Sequence, residues 1–518
     1  MSKNGRNYLY AKPSNLEAVM YNEIGSSMLI IVLSAPPGSG KSTVMIKIAI
    51  DHFSNGKEGL LIVVERHEDG QRISDEINTK VGRPVSAVYY GYDEKYCVHR
   101  DREKIWSNRN KGTRFCSKKC EIQYGLDTDK CKCSRGKVVV CQDKPILIIS
   151  HASLLIMLKN TKYREKILKY NGNKEQCRKC VFIDEAPAID AIYSVDRKEF
   201  YTRKKTVDKS ENKRLKTLYR IVSQAFRTPK YKIGKIRIDM NWEDIGKEIW
   251  LNDEVDKKVW QVCKKGWENA FVSELVEGKS KGIARPYPKR ISVAVSYYKE
   301  LIGFADAVIV LDGTSHINPT YVLYDFQTKV LKRKQPVCRI HLMDKVRYKG
   351  TIRRDPDGVC KEVMAEIGNV YDREKGKMFV VTEKDFEEQY LTAQVPEYAR
   401  VVHYNALRGR NDLREYKVVY FTHIMQKPSD CYLGQVLASK KFKIKSYGIE
   451  EKGKQFIDKK IEMVKAMSIA EGIIQDIYRS IIRNNLEGVD VYIGIKNKLV
   501  IGCLLMAQKN IEFELAGF

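Results

Sequence analysis

A glycine-rich segment near residue 40 constrains the fold of this chain more than any other feature. The apolar run Ser27–Leu33 predicts a buried strand. It is followed by Ala35–Thr43 (APPGSGKST) and by the amphipathic run Val44–Phe53. A strand, a glycine-rich turn that ends in Gly-Lys-Ser and a helix together form a phosphate-binding loop. The sequence therefore predicts an α/β protein that binds ATP or GTP.

Each part of this loop has an expected contact with the nucleotide. Backbone N–H groups at a helix N-terminus attract phosphates, Lys41 would reach the β- and γ-phosphates, and the Ser42 hydroxyl would bind Mg²⁺. The predicted nucleotide-binding residues of the loop are Gly38, Ser39, Gly40, Lys41, Ser42 and Thr43.

An acidic pair supplies the second half of such a site. In Cys180–Pro187 (CVFIDEAP), Asp184 and Glu185 follow an apolar strand. Asp184 would hold the magnesium ion through water, and Glu185 would polarise the attacking water as the catalytic base. An ordinary strand that ends in a helix N-cap would also account for the aspartate, but it does not require the glutamate.

Length and charge limit the classes of function. With 518 residues the chain is long enough for two to four domains. Its net charge of +28 favours a polyanionic partner, because binding to phosphates releases counterions. A lysine-rich proteome or a high-temperature host would also produce this surplus. No apolar run approaches the roughly 20 residues that cross a bilayer, and no signal peptide is evident. We expect no membrane contact and a cytoplasmic protein, nucleoid-associated or virus-encoded, with a nuclear location as an alternative.

The acidic pair and several other segments resemble motifs of superfamily 2 helicases. Asp-Glu-Ala-Pro resembles the family's acidic box, whose fourth residue is usually Asp or His. Gly59–Arg66 resembles motif Ia, and Pro145–Leu155 resembles the strand and turn that precede the acidic box in iron–sulfur helicases of the excision-repair and damage-inducible group. Ala307–Ser315 resembles motif III, although Asp-Gly-Thr-Ser stands here where most members have Ser-Ala-Thr.

The C-terminal half continues the resemblance. Lys377–Leu391 resembles motif IV. His403–Asp412, followed by the strand Lys417–Thr422, resembles motif V. Gln475–Arg483 resembles motif VI, in which a glutamine precedes two arginines. On a helix Gln475, Arg479 and Arg483 would share one face, with Arg479 as the arginine finger. All three are predicted to act in catalysis.

The resemblance implies a fold with two RecA-like P-loop motor domains. The predicted domains are residues 1–190 (motor domain 1), 191–300 (a mostly helical, basic, arch-like insertion) and 301–518 (motor domain 2). The implied function is an ATP-dependent helicase or translocase on single-stranded or forked DNA, with RNA as the alternative nucleic acid. Replication or repair proteins would be its partners, and a phage or virus is a candidate source of the chain, with a role in its replication. The competing hypotheses are a packaging-type P-loop ATPase and a nucleic-acid-binding scaffold that ATP switches between conformations.

Six cysteines cluster in a polar, basic stretch within residues 91–145 that cannot bury a core of its own. A metal centre would offset the entropy cost of ordering it. Four thiolates suit either zinc or a [4Fe–4S] cluster, and the resembling helicases carry an iron–sulfur cluster at this point. Thiols without a metal are the third alternative. The predicted ligands are Cys97, Cys116, Cys120 and Cys131, with Cys133 and Cys141 as alternatives.

The insertion is predicted to be helical from its apolar spacing. Between Leu215 and Phe226 the apolar positions form a helical stripe, and four tryptophans are spaced through Asn241–Val276. Aromatic side chains here could stack on bases, but their helical spacing favours a role in the core.

Overall fold

The structure is a computed structural model. It describes residues 9–10, 29–35, 39–54, 59–89, 144–170, 177–187, 189–227, 253–268, 271–280, 283–324, 326–332, 336–374, 376–407, 412–442, 444, 451–452, 455–483, 488–508 and 510–516. All six clustered cysteines and Gly38 lie outside these residues, as do Trp242 and Trp250.

Eight parallel strands form the first sheet, in the order β1-β11-β2-β10-β6-β3-β5-β4. They are β1 (Leu9–Tyr10), β2 (Leu29–Ser34), β3 (Gly59–Val64), β4 (Ser86–Tyr89), β5 (Ile146–Ser150), β6 (Arg178–Asp184), β10 (Ala307–Leu311) and β11 (Gln327–Lys332). Strands such as β3 are apolar throughout because helices cover both faces of a parallel sheet. The covering helices are α1 (Lys41–Ser54), α2 (His67–Val81), α3 (His151–Lys159), α4 (Thr161–Leu168), α8 (Tyr298–Ile302) and α9 (Pro319–Leu323).

A second parallel sheet has six strands, in the order β14-β13-β15-β18-β12-β19. They are β12 (Cys338–Leu342), β13 (Met378–Thr382), β14 (Ala399–His403), β15 (Val418–Phe421), β18 (Val489–Ile493) and β19 (Ile511–Leu515). Its helices are α10 (Lys349–Arg354), α11 (Pro356–Glu374), α12 (Lys384–Phe386, continued by a π-helical turn at Glu387–Leu391), α13 (Tyr404–Leu407), α14 (Ser429–Ser439), α15 (Lys459–Ile477) and α16 (Lys498–Ala507). A small hairpin, β16 (Glu451–Lys452) and β17 (Gln455–Phe456), precedes α15.

The predicted α/β fold with two RecA-like units is confirmed. In the first sheet a single strand, β10, separates the strand that leads into the phosphate-binding loop from the strand that ends in the acidic pair. The carboxyl ends of parallel strands meet at one edge of a sheet, which is where ligands bind in such folds. The loop and the acidic pair are therefore neighbours in space.

The predicted boundary between residues 300 and 301 does not separate the strands of the first sheet from those of the second. Strands β10 and β11 follow the insertion in sequence but pair with β2 in the first sheet, and the second sheet begins only with β12. The physical reason is that Ala307–Leu311 is wholly buried and fills the position between β2 and β6. Sequence order alone does not show which sheet a returning strand joins.

The insertion contains the predicted helices and also a sheet. Helices α5 (Arg197–Lys209), α6 (Lys213–Arg227) and α7 (Glu254–Glu268) pack on the antiparallel strands β7 (Asp190–Asp196), β9 (Ile283–Ser296) and β8 (Phe271–Ser280), in that spatial order. The predicted apolar stripe of α6 is buried at Leu215, Leu218, Val222 and Phe226. The helical prediction for residues 241–276 is wrong at its end, where residues from Phe271 onward form β8.

Helix α14 connects the second unit to the insertion sheet. Its Asp430 is 3% exposed and accepts a 2.6 Å hydrogen bond from the Ser292 hydroxyl of β9. A Cβ atom at Gly434 would lie 3.0 Å from the Ala294 side chain, so a glycine permits this close approach. Tyr432 of the same helix belongs to the apolar core that covers one face of the first sheet. Among the described residues, no helix is long and apolar enough to cross a bilayer.

Candidate active site

A cleft of about 390 Å³ opens at the carboxyl edge of the first sheet. The phosphate-binding loop, the acidic pair and the end of β10 form one wall, and α15 of the second unit, with the turn that follows it, forms the other. The residues that line it are Gly40, Lys41, Ser42, Thr43, Val64, Glu65, Asp69, Arg72, Ile73, Asp184, Glu185, Leu311, Asp312, Gly313, Thr314, Arg414, Gln475, Tyr478 and Arg479. Most of the predicted nucleotide-site and catalytic residues are therefore brought together.

The loop has the backbone needed to surround phosphates. Gly40 adopts φ +81°, a left-handed conformation that a residue with a Cβ rarely takes. Helix α1 begins at Lys41, so Ser42 and Thr43 lie in its first turn, where the N–H groups have no intrahelical partners. The Lys41 ammonium donates a 2.6 Å hydrogen bond to the Ala35 carbonyl at the start of the loop. This end of α1 can therefore bind an anion through both its dipole and Lys41.

The acidic pair is held at the end of β6 by backbone contacts. The Glu185 N–H donates to the Leu311 carbonyl at 3.0 Å, and Glu185 has φ 70°. A ring nitrogen of His151 lies 2.8 Å from the Asp184 carbonyl oxygen. A non-glycine residue with positive φ is uncommon and marks a position that the surrounding structure imposes. Here it turns the chain so that both carboxylates line the cleft.

Burial changes the proton affinity of both carboxyl groups. Burial raises the pKa of Asp184, and the nearby charge of Lys41 opposes that rise. For Glu185, burial and then the negative charges of Asp184 and Glu65 raise the pKa to about 8, against the opposing charge of Arg479. A glutamate that holds a proton near neutral pH is a stronger base once ionised, which suits a residue that activates water.

An arginine from the second unit reaches the acidic pair. Nη2 of Arg479 lies 3.5 Å from Oε1 of Glu185, and the Arg479 side chain is 11% exposed. The predicted helical face of Gln475, Arg479 and Arg483 is wrong, because α15 ends at Ile477. The Ser480 hydroxyl donates a 2.6 Å hydrogen bond to the Ile477 carbonyl, which closes the helix, and Arg479 lies in the turn beyond it. The side chain of Arg483 lies outside the described part of the chain.

Gln475 lines the cleft through a short hydrogen-bond chain between the two units. Its amide donates to Oε1 of Glu471 at 3.2 Å, and the same oxygen accepts a 2.6 Å hydrogen bond from the Asn318 amide. Asn318 follows β10 in the first unit and caps α9 through the N–H of Thr320. Glu471 therefore links the segment that follows the predicted motif III to the helix that carries Gln475.

No role was predicted from the sequence for several charged residues of the cleft, although Glu65 and Asp312 lie in the segments that resemble motifs Ia and III. Glu65 and Asp312 directly follow β3 and β10, and Asp69 and Arg72 lie in the first turns of α2. Burial raises the pKa of Asp69. Their positions in the sequence could have identified them, because charged residues that follow parallel strands meet at the carboxyl edge of the sheet. Arg414 of the second unit has no comparable sequence signal.

The cleft fits a hard divalent cation. The Ser42 hydroxyl and the carboxylates of Asp184 and Asp312 supply oxygen atoms, which Mg²⁺ prefers, and Mg²⁺ commonly keeps several of its waters. Ser42 and Asp184 would hold the ion, which would shield the phosphate charge.

A cluster of potential metal ligands on the second sheet has a structural explanation. Ligand atoms of His341, Glu374 and Asp490 lie within 4.8 Å of one another. Arg339 donates two hydrogen bonds to Asp490, at 2.7 and 2.8 Å, and His341 lies 3.0 Å from it. Although burial opposes it, the hydrogen bonds from His341 and Arg339 lower the pKa of Asp490 to about 2. The cluster is therefore an ion-pair network.

Comparisons with known proteins add a fold-level likeness. No protein-family model matches this chain, and no curated protein matches it. An apo structure of XPD is 15% identical, with 97% of this chain and 99% of that chain covered and a TM-score of 0.49. A point variant of S. cerevisiae Dbp5, bound to RNA and ADP BeF3, is 7% identical, with 98% of this chain and 94% of that chain covered and a TM-score of 0.38. The Mycobacterium smegmatis helicase Lhr, bound to ssDNA and AMP-PNP, is 10% identical, with 96% and 48% covered and a TM-score of 0.37. These TM-scores are all below 0.5, so the function must be argued from the cleft itself.

Proposed function

We propose that this chain is an ATP-driven helicase or translocase that hydrolyses ATP between its two RecA-like units and acts on nucleic acid, with DNA as the favoured substrate. The observation that carries the proposal is the approach of Arg479, from the second unit, to 3.5 Å from Glu185 in the first. An arginine and a catalytic carboxylate on opposite walls of one cleft make hydrolysis depend on the relative position of the two units. That dependence is what converts ATP turnover into movement.

Each residue has a defined task in this proposal. Lys41 and the N-terminus of α1 bind the phosphates, and Glu185 accepts a proton from the attacking water. Arg479 stabilises the negative charge that develops on the transferring phosphoryl group. Gln475 lies on the same wall as Arg479 and orients that side of the cleft through Glu471.

A second cavity supports the choice of nucleic acid as substrate. It measures about 410 Å³ and lies beyond the carboxyl ends of β13, β14 and β15 in the second sheet. Its lining includes the aromatic Tyr404, the carboxylates of Glu383 and Asp385, and four lysines, which are Lys349, Lys384, Lys427 and Lys465. Lys349 is paired with Glu383. Lys384 and Lys427 are exposed. Cationic side chains beside an aromatic ring suit a phosphate backbone and its bases.

Turnover measurements test the proposal. The purified full-length chain should hydrolyse ATP faster when single-stranded DNA is added. Arg479→Ala should lower kcat by about 10³-fold or more while nucleotide still binds, since arginine fingers contribute about 10³ to 10⁵. Arg373→Ala is the matched control, because Arg373 is a 44% exposed arginine of the second unit that does not line the cleft. A pure protein that hydrolyses no ATP with any polynucleotide present would refute the proposal.

Binding measurements test the nucleic-acid surface separately. Lys384→Ala and Lys427→Ala should each weaken the binding of single-stranded DNA and reduce the slope of log affinity against log salt by about 0.7, the value for one lost phosphate contact. Lys361→Ala is the matched control, since Lys361 is exposed on α11 and does not line the cavity. Parallel titrations with RNA decide between the two nucleic acids. Equal slopes in all three variants would contradict the assignment of this surface.

We propose further that the cysteine-rich segment, outside the described residues, binds a [4Fe–4S] cluster through Cys97, Cys116, Cys120 and Cys131. Zinc is the alternative, and Cys133 and Cys141 are alternative ligands. The support is the resemblance in sequence and the spacing of the cysteines. Purification under nitrogen followed by metal and sulfide analysis tests it. Zinc without iron would reject the cluster.

A further inference from the structure

Helix α6 of the insertion has a polar face whose charged residues are all basic. The helix has 15 residues, of which five are lysine or arginine and none is aspartate or glutamate. Four of the five, at intervals of three, four and seven residues, lie on one face of the helix: Lys213, Lys216, Arg220 and Arg227. Lys216 is half-buried and the other three are exposed. This basic face extends along about 21 Å of helix.

The four cations of the basic face are not neutralised by the protein. No carboxylate among the described residues forms an ion pair with any of them. Elsewhere in the insertion, lysines do have acidic partners, as where Lys258 of α7 lies 2.8 Å from Glu199 of α5. Lys216 and Arg220 are one turn apart and repel each other, which lowers the stability of the helix. The charge of the basic face is therefore available to an external anion.

The apolar residues of the insertion argue against two kinds of anionic partner. Leu215, Leu218, Val222 and Phe226 are buried in the core of the insertion, so α6 has no free apolar face with which to enter a membrane. Among the described residues of the insertion, no large hydrophobic side chain is exposed, whereas protein interfaces usually depend on aromatic or apolar anchors. A row of cations without such anchors suits the phosphate backbone of a nucleic acid, which is bound mainly through charge.

The insertion sheet separates the basic face from the second cavity. In β9, Ile291 and Val293 pack into the core beneath α6, whereas Ser292 and Ala294 contact α14 on the other side of the sheet. Ser429, in the first turn of α14, lines the second cavity. With the sheet and α6 itself between them, the basic face lies roughly 20 Å from α14. The phosphates that occupy the cavity therefore cannot also contact the basic face.

We propose that the basic face of α6 binds the phosphate backbone of a second segment of the nucleic acid, outside the cavity of the second unit. Each of its four cations contacts phosphate, and no base is read. The segment is either a duplex that adjoins the bound strand or a continuation of that strand, and both present the same phosphodiester chemistry. The contact goes beyond the proposed function, because it requires neither ATP nor the cleft.

The salt dependence of binding tests the proposal. Fluorescence anisotropy would measure the affinity of the full-length chain, without nucleotide, for a forked DNA and for a single strand of the same length. The double variant Lys213→Ala/Arg220→Ala should reduce the slope of log affinity against log salt by about 1.8 for a duplex contact and by about 1.4 for a single-strand contact, since each lost phosphate contact changes the slope by about 0.9 or about 0.7. Lys258→Ala is the matched control and should keep the slope of the wild type, because Lys258 is 41% exposed on the same insertion but already paired with Glu199.

A charge reversal distinguishes loss of the contact from loss of the fold. Arg220→Glu places a negative charge one turn from Lys216, so this variant should melt no lower than the wild type. It should nevertheless weaken the binding of forked DNA more than Arg220→Ala does. Slopes equal to that of the wild type in the double variant, with both DNAs, would overturn the proposal. Binding to phosphatidylserine vesicles that the double variant loses, with an unchanged slope for DNA, would also overturn it and would assign the face to a membrane. A chain that binds DNA in this way but hydrolyses no ATP would instead reject the proposed function.

Discussion

Glu185 should make ATP hydrolysis depend on pH in a range far above that of an ordinary glutamate. Burial, the Asp184 charge and the Glu65 charge raise its pKa from 4.5 to about 8. A glutamate whose pKa is raised this far is mostly protonated at pH 7. Since only the ionised carboxylate can accept a proton from water, most of the free enzyme would lack a working base at neutral pH.

The sign and size of the effect follow from this ionisation. The value of kcat/KM reports the free enzyme, so it should rise up to tenfold per pH unit below about 8 and level off above it. The value of kcat reports the bound complex. In that complex the Mg²⁺ lowers the pKa of Glu185 and the phosphates raise it, so the difference between the two profiles measures their net effect. Steady-state rates from about pH 6.5 to about pH 9.5 would show both curves.

Two variants distinguish the ionisation of Glu185 from that of other groups as the origin of the pH dependence. Glu185→Gln should bind nucleotide, lose multiple turnover and show no inflection near pH 8. Glu65→Gln removes one of the negative charges that raise the pKa of Glu185, so its inflection should move to lower pH without a loss of plateau rate. A kcat/KM profile that is flat above pH 6.5, or an inflection that persists in Glu185→Gln, would refute the assignment of Glu185 as the base.

Three further predictions concern contacts outside the reacting atoms. Gly472 lies in α15 with open space around it, so Gly472→Ala should raise the free energy of unfolding by up to about 1 kcal/mol. Gly434→Ala in α14 should give no such gain, because its Cβ would meet the insertion sheet. Urea denaturation of both variants measures the difference. Asn318→Asp keeps the helix cap but repels Glu471, so DNA stimulation of the ATPase should fall several-fold. Adding Glu471→Gln should restore the stimulation. If the double variant shows no recovery, this contact is not the link between the units. Asp490→Asn should lower the free energy of unfolding by about 2 kcal/mol at pH 7. It should also remove the loss of stability that the wild type shows as the pH falls from 3.8 towards 2. Urea denaturation at several pH values measures both effects.

Local chemistry made part of the site predictable from sequence. The phosphate-binding loop and the acidic pair are each encoded in fewer than ten consecutive residues, and each follows an apolar strand. Backbone geometry that depends on neighbours in sequence, such as the left-handed Gly40, can be read from such segments. These segments predict that a nucleotide is bound and which carboxylates face it.

Non-local pairing limited the remaining predictions. An apolar run such as Ala307–Leu311 is compatible with any central position of a parallel sheet, and only the three-dimensional register with Leu29–Leu33 and Cys180–Asp184 shows where it belongs. The end of α15 also depends on a hydrogen bond that the spacing of apolar residues does not reveal. Ser480 closes the helix with its hydroxyl, although the apolar pattern continues to Ile482.

Asp312 illustrates how a residue of the cleft can depend both on a local turn and on non-local strand pairing. As a single aspartate after a strand it is indistinguishable in sequence from a turn residue, and its hydrogen bonds to Thr314 are those of an ordinary turn. Its significance depends on β10 lying between β2 and β6, which is a property of the sheet. The same placement joins Asp312 to Asn318, six residues further on, and through Glu471 to the wall that carries Arg479. The segment after β10 therefore lines the cleft through Asp312 and contacts the second unit through Asn318, and neither contact can be read from the order of residues alone.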